Sequence, residues 1–255
     1  MKRSSRIWLL LAISLVSLAA IYLQAPIAQP ISFHQFADTR SLFGIPNFGN
    51  VVSNLPFLGV GFYGLGTVSR SSFSVAIRLI YLTLFIGVVL TGLGSADYHW
   101  NPKNDTLVWD RIPMTIVFMS FLSATVTELA SRRLGGWLLI PLLALGIGSV
   151  LLWHYTERIG RGDLRLYFWV QFYPMLTIPL LLWLFYAPVV KTILPCLVWI
   201  VVWYVIAKGF EQLDFPIYHA IGVSGHTLKH LAAAMSTVYF VVLFRRRYGE
   251  ALSTS

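Results

Sequence analysis

The chain has 255 residues, 57% of them hydrophobic and only 11% charged, where an ordinary soluble domain carries about 25% charged residues. A mean hydropathy of +0.72 excludes a chain solvated on all sides. The formal charge of +9 does not mark a nucleic-acid partner, because the basic residues are dispersed and gather at the ends of apolar runs rather than in blocks.

Apolar runs of about 17–25 residues, enough to cross a bilayer, recur at 7–24, 48–68, 75–99, 111–130, 137–154, 166–186, 189–208 and 218–244. The connections are short and leave no room for a soluble domain. The expectation is one all-α polytopic membrane helical bundle. Residues 1–46 would supply an N-terminal anchor helix and a cap segment outside the cytoplasm, and 47–248 a seven-helix core.

The first run, Ile7 to Leu23 behind Lys2, Arg3 and Arg6, resembles a signal peptide, with Ala25-Pro-Ile-Ala28 as a weak cleavage region. Its apolar length exceeds the usual core of such a leader and favours a retained anchor. With the N-terminus in the cytoplasm, the inside ends collect Lys2, Arg3, Arg6, Arg70, Arg78, Arg132, Arg133, Lys191 and Arg245 to Arg247. That is a positive-inside bias for both termini in the cytoplasm. The lone cysteine, Cys196, cannot form an intramolecular disulfide.

Residues 25–47, with Pro26, Pro30, Asp38, Arg40 and Pro46, would cap the bundle mouth. The second span opens with Asn47, Asn50, Ser53 and Asn54 within a turn or so of each other. These either glue helices together or support a site. The third span ends at Ser95-Ala-Asp-Tyr-His99 before Pro102, and Asp110 with Pro113 opens the fourth. Capping by Asp110 is the plain alternative there. Gln171, Tyr173 and Pro174 are expected to interrupt the sixth span, and Lys208, Glu211 and Asp214 to end the seventh.

Ionisable side chains at membrane depth are costly and usually functional. His226 and His230 are four apart in the last span, so on a helix they share a face and can point at one atom. A bare pair of this kind is weak evidence for metal. Topology strengthens it: the third span runs outward and the last inward, placing His99, Ser95 and Asp110 at the depth of His226 and His230. Three neutral histidines with one open position make a catalytic type of zinc site. Asp110 would then serve as general base, and Ser95 would hydrogen-bond a developing oxyanion. His34, His154 and His219 lie near span ends, where an ordinary interfacial histidine is the default.

Taken together, Ser95-Ala-Asp-Tyr-His99, Asp110-Arg-Ile-Pro113-Met114 and His226-Thr-Leu-Lys-His230 resemble the motifs of the alkaline ceramidases and their wider CREST superfamily. Asn50-Val-Val-Ser53-Asn54 is similar to the stretch at the start of that family's first core helix. The likeness covers about 47–245. It implies a seven-helix zinc hydrolase that cleaves the amide of a ceramide-like lipid entering from the bilayer. His99, His226 and His230 would hold the zinc, with Asp110 activating water and Ser95 assisting. Asn47 stands where the eukaryotic ceramidases carry a glutamate of their calcium site, which argues against calcium here. A receptor or lipid sensor of the same superfamily is one alternative, and a proton or ion transporter another. A transporter would spread its charges along a path, whereas here they gather at one rim.

Overall fold

The computed structural model describes residues 2–249. In chain order it contains α1 (Arg3–Tyr22), a 3-10 turn (Ile31–His34), α2 (Phe48–Val52), α3 (Leu55–Ser69), α4 (Val75–Trp100) and α5 (Asn104–Leu129). After these come α6 (Arg132–Arg158), α7 (Arg165–Leu184), α8 (Val189–Gln212), α9 (Asp214–Ile221) and α10 (Gly225–Tyr248). With α2 and α3 counted as one interrupted span, eight segments among the described residues are long and apolar enough to cross a membrane. Helices satisfy their backbone polar groups within one segment, which is why apolar chains fold this way in lipid. The protein is an all-α, multi-pass membrane bundle. Its outer surface exposes Trp8, Leu15, Val16, Trp137, Ile140 and Trp183, a liability in water that suits a hydrocarbon surround.

Six spans form an incomplete ring: α3 packs on α4, α4 on α5 and α5 on α7, while α10 packs on both α8 and α3. Helix α6 lies outside against α5, and α1 outside against α7. Helix α1 buries no residue of its own. It is attached by Ser14 Oγ to Tyr173 Oη at 2.5 Å and by Trp169 Nε1 donating to Ser17 Oγ at 3.0 Å. The ring stays open between α7 and α8, which scarcely touch.

Three local features differ from the sequence expectation. Helix α5 begins at Asn104 rather than near Asp110, with Thr106 Oγ1 accepting from the Lys103 amide and Asp105 in the first turn. Asp110 is therefore no cap, and Pro113 lies inside the helix. Helix α7 runs unbroken through Gln171, Tyr173 and Pro174. The last apolar run is split. Gly222, at φ +70°, closes α9 in the left-handed conformation. Ser224 then starts α10 by accepting from the amides of His226 and Thr227.

Candidate metal centre

The split moves the histidine pair from two or three turns inside the last helix to its first two turns, and it fixes their orientation. Asp214 is buried where α9 begins. One carboxylate oxygen accepts from the Ser224 hydroxyl and from the His226 amide at 3.0 Å, and the other from the Ala37 amide at 3.0 Å. One side chain thus clamps the α9–α10 junction and the 25–47 segment together.

From the two helices that flank α3 in the ring, α4 and α10, His99, His226 and His230 come together. Their ring centroids lie 4.8 to 4.9 Å apart, and the potential ligand nitrogens lie within 4.8 Å of one another. All three side chains are buried. His99 Nδ1 and His230 Nε2 have no hydrogen-bond partner, and a buried orphan nitrogen in a native fold calls for an ion or another explanation. On His230 the other nitrogen, Nδ1, lies 2.8 Å from Ser53 Oγ. A bond at Nδ1 fixes the tautomer and leaves Nε2 as the lone-pair donor. The donor set therefore fits a metal ion.

The polar cluster of α2 supports this layer. Asn47 Nδ2 donates to the His99 carbonyl at 2.9 Å, and Thr227 Oγ1 donates to Asn50 Oδ1 at 2.9 Å. Asn54 Nδ2 donates to the Asn50 carbonyl at 2.8 Å. These bonds tie α2 to α4 and α10 beside the histidines, and through Ser53 the cluster reaches an imidazole, so the two roles open to these residues coincide. Ser53→Ala is expected to weaken metal binding by about 10–100-fold, as read by titration against a competing chelator.

Ser95 lies one turn before His99 on α4, beside the Asp110 carboxylate of α5. Gly94 makes this possible: a Cβ there would sit 1.9 Å from the Trp109 carbonyl oxygen, so only glycine lets the two backbones approach. Gly94→Ala must push α4 and α5 apart. We expect it to cost about 1–3 kcal/mol and to separate Ser95 from Asp110, with a lowered unfolding temperature as the check.

Ser95, Asp110 and His230 lie at one end of a cavity of about 470 Å³ whose walls are otherwise mainly apolar. Small-molecule sites span about 300–1,000 Å³. The walls include Met175 of α7 with Val198 and Val201 of α8, all three also exposed on the outside of the bundle. The cavity therefore opens sideways, through the gap in the ring.

At the histidine end the 25–47 segment closes the site. The Phe36 ring is 4.6 Å from both the His99 and His226 rings. Several contacts hold the segment down. His34 bridges Tyr98 and Asn104, each at 2.9 Å. Arg111 donates to Gln29 at 2.6 Å from between the rings of Trp153 and Tyr167. Arg40 donates to the Gly222 carbonyl at 2.9 Å while binding both oxygens of Asp38 within the segment, at 2.8 and 2.7 Å. The Arg40 guanidinium holds that carboxyl below the ordinary carboxylate range.

Of the histidines, His99, His226 and His230 converge; His34 is held in the cap segment, His154 pairs with Asp105 at 2.8 Å, and His219 lies on α9. Sequence reasoning missed Asp214, Phe36 and the contacts of Lys229. For Asp214 the signal was Gly222 followed by Ser224, a helix stop and start inside one apolar run. For Phe36 no spacing pointed to the histidines. The fold and centre thus define a multi-pass membrane protein with a buried three-histidine cluster able to hold a metal ion. Comparison with protein-family models, with curated proteins and with solved structures finds no match in any of the three.

Proposed function

We propose that the protein is an integral-membrane, zinc-dependent amidohydrolase acting on a ceramide-like N-acyl lipid. The observation that carries this is that His230 of the histidine cluster lines, together with Asp110 and Ser95, one end of an apolar cavity open to the side. An acyl chain entering between α7 and α8 would lie in the cavity with its amide at the polar end. His99, His226 and His230 would hold a zinc ion, whose Lewis acidity would polarise the amide carbonyl and activate water near neutral pH.

Around it the chain's own groups do the rest. Asp110 accepts a proton from the attacking water. Ser95 donates a hydrogen bond to the carbonyl oxygen as it gains charge. The carbon–nitrogen bond breaks as that proton passes from Asp110 to the departing nitrogen, giving a fatty acid and an amine. Phe36 keeps bulk water off the histidines from the other side, which strengthens every charge interaction inside. The basic ends of the spans favour both termini in the cytoplasm, and the site would then lie near the opposite face.

The test is a panel of N-acyl lipids incubated with the purified protein, with products read by mass spectrometry before and after chelation. Release of fatty acid and amine that stops on chelation supports the assignment. No cleavage, or cleavage indifferent to chelation, contradicts it.

A further inference from the structure

One charged group at the cavity wall has no part in that chemistry. Lys229 lies one residue before His230, lines the cavity with Ser95 and Asp110, and comes within 3.4 Å of His226 Nε2. Its ammonium is 3.0 Å from Glu211 Oε1, while Lys208 takes the other oxygen of the same carboxylate at 2.5 Å. Pairing explains how a lysine is tolerated at this depth, but a buried pair is often no more stabilising than apolar side chains of the same size. It does not explain why the ammonium borders the cavity.

The charges around the centre are informative. Lys208, Lys229 and Arg111 balance Glu211, Asp110 and the Asp214 carboxylate beneath the His226 amide, and three neutral imidazoles add nothing. A divalent cation on the histidines would therefore leave the end of an apolar cavity net positive, and its complement is an anion brought by the ligand. An ammonium has three donors; on Lys229, Glu211 takes one and His226 Nε2 lies near a second, which leaves a third for the cavity.

We infer that Lys229 recognises an anionic group, a carboxylate or a phosphate, that the N-acyl lipid carries close to its scissile amide. This rests on the amidase assignment and narrows it. The acyl chain occupies the cavity, the amide lies between Ser95 and the histidines, and the anion meets Lys229. The substrate class is then an acidic N-acyl lipid, such as an N-acyl amino acid or a phosphorylated N-acyl sphingoid, in preference to a neutral ceramide.

The experiment uses the full chain with lipids that share one acyl group. These are an N-palmitoyl amino acid and its methyl ester, and a ceramide phosphate with the matching neutral ceramide. Two quantities are read: kcat/KM on the wild-type background, and affinity for each uncleaved lipid on an Asp110→Asn background. The wild type is expected to favour the anionic member of at least one pair by about tenfold or more, and the pair that shows it identifies carboxylate or phosphate. Lys229→Met should bring that ratio to near one with metal content unchanged, and Lys229→Arg should keep it. Equal handling of both members in both pairs by the wild type overturns the proposal. So does an equal loss on the anionic and neutral lipids in Lys229→Met. If nothing is cleaved but the affinity ratio is present and falls in Lys229→Met, the amidase assignment fails and the anion subsite stands.

Discussion

Replacing His226 or His230 by alanine is expected to remove both bound metal and hydrolysis, the largest effect of any single substitution in this protein. Each leaves only two of the three buried nitrogens that converge between α4 and α10, too few for a site that needs three protein ligands and one open position. Metal content should fall from about one ion per chain to background, as read by elemental analysis. His99→Ala should behave alike, although it lies on another helix. The fold should survive in all three variants, because what holds the helices together is the apolar core around Leu84, Phe85, Val88 and Phe244 rather than the imidazoles. A variant that keeps its metal and full activity would remove that histidine from the centre.

Asp110→Asn is expected to do the opposite with metal, retaining it while turnover falls by about 10²–10⁴-fold, the usual contribution of a positioned proton acceptor. The amide is nearly the same size and keeps an oxygen toward Ser95, but it cannot take a proton from water. Lipid affinity should be little changed, so the loss should appear in kcat rather than KM. If both metal and turnover were lost, Asp110 would belong to the metal's support. If neither changed, the general base lies elsewhere.

The spans and the all-α class are legible in the sequence because an apolar run of bilayer length has few alternatives. Residues within those runs are harder to place, since a helix that is apolar all round carries no periodic signal of which face turns inward. The His226–His230 pair is visible from spacing alone, and His99 follows from the sense of the spans. Depth was less legible. Asn104 and Asp105 look like loop, so α5 starts earlier than its apolar run and carries Asp110 into its second turn. Hydropathy likewise runs across Gly222 and Ser224, hiding the break that puts His226 at the start of α10. Contacts between distant segments have no local signature at all. Phe36 over the histidines is set by tertiary packing alone, whereas Asp214 under the His226 amide follows from the Gly222–Ser224 break. The Ser53 contact with His230 lies between these cases, because its polar cluster was visible while its partner was not.

The most direct measurement of the central claim is the metal content of the purified wild-type chain, read together with its hydrolysis of an N-acyl lipid in the same sample. We predict about one zinc per chain, with hydrolysis that disappears when the zinc is stripped and returns when it is restored. Fully active protein that carries no metal would contradict the account.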